Sequence, residues 1–282
     1  MLTTITINLN KDFTPFGGYI PNFWSFPDKS IGVKVNEILI KKNIVEIVAR
    51  LNSSEEIIKL LMLTDAVKRE KPWMIKLFIP YLPYARQDRL MVNGESFSLK
   101  VIANLINSQE YQEVKVFDPH SNMSGALIEK MVEVKNYKFV KQILSSIGDY
   151  VLVAPDFGAS KKIYDLGKYL NYTGDVVIAN KRRDLSTGKI LDTQIIGGDI
   201  KNKQCVIVDD ICSKGGTFIG LSSKLKELGA SHVILIVSHF EDTADRELLK
   251  KDIDLVFTTD SVKNVKDCPL VKCIGIDRAM ME

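Results

Sequence analysis

The chain has 282 residues, 45% hydrophobic and 26% charged, a length that suits two domains of ordinary size and a composition that excludes extensive disorder. Lys plus Arg at 38 against Asp plus Glu at 35 leaves a formal charge of +3, too little for a nucleic-acid coat or a membrane surface. Any anion site must therefore be local.

The opening stretch, MLTTITINLNKDF, lacks a basic start followed by an apolar core, and no apolar run approaches bilayer length. The expected location is cytoplasmic. From there strand-like runs alternate with helical ones. Strands are predicted over Val45 to Val48, Met74 to Ile79, Val114 to Phe117, Tyr150 to Ala154, Val176 to Ala179, Cys205 to Val208, His232 to Val237 and Leu255 to Phe257. Helices are predicted over Glu55 to Lys68, Ser98 to Asn107, Lys138 to Ser145, Ser160 to Leu170 and Thr217 to Leu228, each with apolar residues at three and four spacing. This is the pattern of an α/β protein built on mainly parallel sheets flanked by helices. A polar link at Lys135 to Tyr137 places the boundary between a domain of residues 1–136 and one of residues 137–282. In such sheets ligands gather outside the carboxyl ends of the strands.

Two loops there carry chemistry. Arg86, Gln87, Asp88 and Arg89 follow the strand Met74 to Ile79 and a proline-rich link, and can recognise a nucleotide's phosphates and polar edges together. Taken alone they are also compatible with a salt-bridged surface loop. The stretch VIVDDICSKGGT, Val206 to Thr217, describes a site for a ribose carrying a phosphate. Asp209 and Asp210 end the strand where vicinal hydroxyls can donate to them. Ser213, Lys214, Gly215, Gly216 and Thr217 form the following loop, whose last three residues open a helix with amides suited to an anion. Farther back, Lys181 and Arg183 stand two apart at the end of the strand Val176 to Ala179, so both project from one face. The segment after them, Asp184 to Gly198, reads as a flexible lid. Cys205, Cys212, Cys268 and Cys273 show no CxxC pairing and are read as buried or incidental thiols.

PYARQDR followed downstream by DDxxxxGGT closely resembles the ribose-phosphate diphosphokinase family, also called phosphoribosyl pyrophosphate synthetases. The likeness runs from about Phe26 to Thr259 and includes LMLTDAVK at Leu61 to Lys68, SLKVIANL at Ser98 to Leu105, Asp118 to His120, APDFG at Ala154 to Gly158 and NKRR at Asn180 to Arg183. The resemblance implies two phosphoribosyltransferase-like domains, ATP as donor, magnesium (Mg2+), and transfer of the β,γ-diphosphoryl group to the anomeric hydroxyl of ribose 5-phosphate. By that resemblance Arg86, Gln87, Asp88 and Arg89 bind ATP, while Phe26 and Asp28 reach the adenine of a neighbouring subunit. His120 and Asp156 belong to the magnesium site, with Asp118 assisting through water, and Lys181 and Arg183 stabilise the diphosphoryl group in flight. Such transfer depends on positioning and on neutralising charge over the moving oxygens.

The chain also departs from the family pattern. Ser213-Lys214 stands where Asp-Thr is usual, losing a carboxylate and gaining a cation. Two readings stand side by side: neutral drift, or service to an acceptor with a second phosphate such as ADP-ribose. Phe26-Pro27-Asp28-Lys29-Ser30 replaces Phe-Ser-Asp-Gly-Glu, Asp118-Pro119-His120 replaces Asp-Leu-His, and Gly125 arrives one residue early. The family's opening strand, turn and helix are expected to be replaced by a brief segment, and its carboxyl-terminal helix to be missing after Met281. The resemblance thus implies a homodimer as the minimal active unit and does not extend to hexamer formation or ADP inhibition. Two other classes compete. A phosphoribosyltransferase explains the Asp209 to Thr217 loop but not PYARQDR, and a catalytically silent homologue sits poorly with retention of every charged candidate.

Overall fold

The structure is a computed structural model that describes residues 3–183, 190–241, 243 and 246–281; the side chains of residues 181–193 lie outside that description. It divides into two compact units, Met1–Lys135 and Asn136–Glu282.

In the first unit the elements run β1 (Thr4–Asn8), β2 (Asn22–Ser25), β3 (Ile31–Lys34), α1 (Glu37–Ile40), β4 (Ile44–Val48), α2 (Ser54–Arg69), β5 (Met74–Ile79), α3 (Ser98–Asn107), β6 (Glu113–Phe117), α4 (Met123–Leu127) and β7 (Met131–Val134). A five-stranded parallel sheet has the order β1-β4-β5-β6-β7, and β2 and β3 form a separate antiparallel hairpin. The opening segment is thus a strand, contrary to expectation: Thr4 to Asn8 pair in register with Ile44 to Val48 and bury Ile7. Period two over a few residues is easily missed where Thr4 and Thr6 weaken the apolar signal.

Parallel strands need long crossovers, and α2 shows what forms one. Ser53 and Glu56 close a reciprocal capping box at its start. Ile57, Leu60, Leu63 and Val67 then recur at three and four spacing and turn one face to the core. That core takes alternate strand residues, Val45 and Ile47, Ile75 and Leu77, Val114 and Val116. The residues between them are charged: Lys76 pairs with Glu113 and Lys115 with Glu46, each at 3.3 Å.

The second unit runs α5 (Tyr137–Leu144), β8 (Tyr150–Ala154), α6 (Phe157–Leu170), β9 (Val176–Arg183), β10 (Ile190–Ile196), β11 (Gln204–Cys212), α7 (Gly216–Glu227), β12 (His232–Phe240), α8 (Arg246–Leu249), β13 (Leu255–Thr259), β14 (Val271–Ile274) and α9 (Ile276–Met280). Among the described residues the sheet has seven strands in the order β10-β9-β8-β11-β12-β13-β14, parallel except for β10.

Three expectations change here. Residues 190–196 of the supposed lid pair antiparallel with β9 as the edge strand β10, while residues 184–189 lie outside the described residues. Strand β9 runs on to Arg183, so Lys181 and Arg183 lie within it rather than beyond it. Strand β11 runs on to Cys212, because β12 offers partners as far as Phe240, and Asp209 and Asp210 therefore sit inside a strand. Polar residues in a strand hide its length from a hydrophobicity pattern; a neighbour's hydrogen-bonding edge supplies it.

Among the described residues no helix is long and apolar enough to cross a membrane. Leu77 lies fully buried at the centre of the first sheet. Replacing it with alanine should cost about 2 to 5 kcal/mol, read from the denaturant midpoint and slope of the transition that reports the first unit.

Candidate functional site

The first unit gathers its expected residues on the loops that leave β5 and β6. After Ile79 the chain turns through Pro80 to Pro83, and Tyr84 takes a left-handed conformation with φ 63°. Ala85, 1% exposed, anchors the turn; the Gln87 N–H bonds Tyr84 O at 2.9 Å, and the Leu99 N–H bonds Gln87 O at 3.2 Å. The loop is thus held between the end of β5 and the start of α3. Arg86, Gln87, Asp88, Arg89 and His120 line one cavity of about 540 Å³, with Glu95 also in its lining. Sequence reasoning missed Glu95. It holds the loop's apolar tip through the Met91 and Val92 N–H groups at 3.0 and 3.2 Å.

Asp88 is the hub of this arrangement. Its carboxylate takes a two-pronged bond from Arg89, Nε at 2.8 Å and Nη2 at 3.1 Å, and a third from the Ser121 hydroxyl at 2.7 Å. These donors, Arg89 first and then Ser121, pull its pKa down to about 2. Arg89 is left 71% exposed with its plane fixed and its other N–H groups outside the fork. Asp118 is buried, with φ 42° and its N–H on Val134 O at 2.8 Å, whereas His120 is exposed.

Phe26 and Asp28 are not among the residues lining this cavity. They occupy the tip of the β2–β3 hairpin, where Asp28 Oδ1 accepts from the Ser30 N–H at 3.0 Å and its hydroxyl at 2.6 Å. Those bonds lower the Asp28 pKa. Phe26 is 49% exposed beside Trp24, ring edge to face, with centroids 6.1 Å apart.

In the second unit, Asp209 is half-buried on β11 and Asp210 is buried. Asp209 Oδ1 accepts the Asp210 N–H at 2.9 Å. Burial, then the adjacent charge of Asp210, push the Asp209 carboxyl well above the usual range, and Lys162 on α6 works against them. Ser213 is half-buried and Lys214 exposed. Gly215 caps α7 in the left-handed region at φ 78°, and no side chain caps that helix. Its carbonyl takes the N–H groups of Phe218 and Ile219, both at 2.9 Å. At Gly216 a Cβ would meet no atom within 4 Å, so packing does not demand glycine there.

Asp156 is exposed and caps α6, its Oδ1 accepting the Ala159 N–H at 3.0 Å. The expected metal residues are thus divided, Asp118 and His120 in one unit and Asp156 in the other. Among the described residues no group of three or more His, Cys, Asp or Glu could hold a metal ion. The backbones of Lys181 and Arg183 pair with Thr193 and Ile190; their side chains lie outside the described residues.

Comparison with known proteins places this geometry. Residues 21–109 match the family model for the N-terminal domain of ribose phosphate pyrophosphokinase, and residues 125–272 match that of the phosphoribosyl transferase domain. The chain is 26% identical over 273 residues to the ribose-phosphate pyrophosphokinase of Campylobacter jejuni, covering 91% of this chain and 84% of that one. To the ribose-phosphate pyrophosphokinase of Hyphomonas neptunium it is 28% identical over 275 residues, covering 89% and 85%. Its fold is similar to the crystal structure of phosphoribosylpyrophosphate synthetase from Mycobacterium smegmatis, with a TM-score of 0.82 and 20% identity over 98% of this chain and 95% of that one.

A raised carboxyl pKa binds a proton in the folded state that the unfolded chain has already released. Stability attributable to Asp209 is therefore present below the unfolded value near 4 and falls as pH rises toward the higher folded value. Asp209→Asn should raise the thermal midpoint at neutral pH, measured by calorimetry. The same comparison near pH 3 should show a smaller gain.

Proposed function

Because the chain belongs to the ribose-phosphate pyrophosphokinase family, we propose that it transfers the β,γ-diphosphate of ATP to the anomeric hydroxyl of ribose 5-phosphate. The products are phosphoribosyl pyrophosphate and AMP. One observation carries this reading: an Arg-Gln-Asp-Arg cavity in the first unit coexists with an Asp-Asp strand and an uncapped helix start in the second. A phosphoribosyltransferase would need only the latter.

We assign the ATP polyphosphate to Arg86, Gln87 and Arg89, whose cations and amide suit phosphate oxygens and a base's polar edge. Asp209 and Asp210 accept the two ribose hydroxyls, and the amides of Gly215, Gly216 and Thr217, with the α7 dipole, take the 5-phosphate. The open space at Gly216 supports this: a ligand against the backbone gives the glycine its purpose. The acceptor's anomeric oxygen attacks the β-phosphorus, the bond from that phosphorus to the oxygen bridging the α-phosphate breaks, and the hydroxyl proton is released. We assign Lys181 and Arg183 to the charge that spreads over the moving oxygens.

The donor set fits magnesium. A hard cation that keeps several waters and binds substrate phosphates needs few protein ligands, so one exposed ligand in each unit suffices, His120 in the first and Asp156 in the second. Within the first unit His120 would contact an ion on the ATP phosphates, with Asp118 acting through water, and within the second unit Asp156 would contact an ion at the acceptor. When bound, the ion supplies neutralisation of phosphate charge. The larger acceptor considered above rests on Lys214 alone, and the relatives named here are ribose-phosphate pyrophosphokinases, so ribose 5-phosphate is the acceptor assigned. A homodimer in the cytoplasm remains part of this proposal on family grounds.

AMP release that requires ATP, magnesium and ribose 5-phosphate together tests the assignment, with the product identified by mass. Lys181→Ala and Arg183→Ala should each lower turnover by about a hundredfold or more. Near-normal AMP release from both variants would remove the mechanism. Separately, Gly216→Ala should raise KM for ribose 5-phosphate by about tenfold or more while leaving the thermal midpoint unchanged or higher, since alanine favours the helix.

A further inference from the structure

We infer that Ser121 is a positioning residue for the donor site: its hydroxyl clasps the Arg86 to Arg89 loop to the loop that carries Asp118 and His120. This rests on the reading of the first unit as the ATP side.

The two loops leave different strands. Strands β5 and β6 are neighbours, with Ile79 opposite Val116, so their carboxyl ends emerge side by side. Strand pairing stops there. Beyond β6, the chain is pinned by the Asp118 N–H on Val134 O, and it is pinned again at Ser121, with His120 between the two anchors.

Ser121 is 8% exposed and its hydroxyl is used twice. It donates to Asp88 Oδ2 at 2.7 Å and accepts the Met123 N–H at 3.1 Å, at the first residue of α4. The Ser121 carbonyl takes the Ser124 N–H at 3.0 Å. A hydroxyl so occupied has little left for a ligand; its part is to hold Asp88. Asp88 in turn holds the Arg89 guanidinium in a fork, so the plane of an otherwise exposed cation is set by a bond that begins at the α4 start. His120 and Arg89 both border the same cavity, and Ser121 is adjacent to one and one carboxylate from the other. A preorganised cation loses less freedom when a polyphosphate binds, and the gain appears as affinity for that ligand alone.

The experiment measures ATP binding by calorimetry in the presence of magnesium, and KM and kcat for both substrates, on the wild type and on Ser121→Ala, Ser121→Thr, Asp88→Asn and the Ser121→Ala, Asp88→Asn double variant. Ser121→Ala should weaken ATP binding and raise its KM by about three- to tenfold, the net scale of one ordinary hydrogen bond, with KM for ribose 5-phosphate unchanged. Ser121→Thr, which keeps the hydroxyl, should recover most of the loss. The double variant should lose less than the two single losses combined, because both act through one bond. Wild-type ATP affinity in Ser121→Ala overturns the inference, as does a matching rise in both KM values with a lower thermal midpoint, which marks a general fold effect. A wild type that binds no ATP overturns the donor-site reading along with it.

Discussion

A parallel strand pair cannot be closed by a tight turn, and this constraint organises the molecule. Each strand must return through a crossover, so successive strands within a sheet release their chains at the same carboxyl edge. In the first unit β5 and β6 are adjacent, and the loops after them meet at Asp88 and Ser121. In the second, β8 pairs with both β9 and β11, which brings Asp156, the end of β9 and the Asp209 to Thr217 stretch onto one edge of one sheet. Residues far apart in the chain become neighbours because their strands are neighbours.

Two carboxyl groups show how position sets role. Asp88 is surrounded by donors and its pKa falls to about 2, so it stays a fixed anion that orients Arg89. Asp209 has the opposite surroundings, burial and a like charge, and its pKa rises. A depressed carboxylate is a stabilising strut, whereas a raised one stores unfavourable energy that a ligand's hydroxyl donors can relieve. The same residue type is thus held as an anion in one unit and pushed toward its neutral form in the other.

The glycines of the second site follow the same logic. Gly215 is required by the backbone, since φ 78° is a left-handed conformation at the start of α7. Gly216 is not required by the fold, because a side chain there would meet open space. One glycine shapes the loop and the other leaves its amide open to approach.

Much of the frame was legible in the sequence. Tyr150–Ala154 is a continuous apolar run, Met74–Ile79 is one broken only by Lys76, and Ser98–Asn107 has apolar residues at helical spacing; these cores announce themselves because burial selects residue type directly. The placing of Arg86 to Arg89 on a loop beyond β5, and of Gly215 to Thr217 at the start of α7, was legible too, because turn and helix-start residues are local signals. The full lengths of β9, β11 and β12 were not, nor was β10, because polar residues join a strand only when a neighbour offers its edge. The opening β1 was hidden for the same reason. Nor could spacing reveal that Asp88 is engaged by Ser121, 33 residues away, or that Asp209 and Asp88 titrate in opposite directions. Local sequence determined the core strands and the longer amphipathic helices, and which chemical groups the loops carry. Tertiary structure decided where strands end, which groups touch and what charge each holds, because those depend on partners that come from elsewhere in the chain.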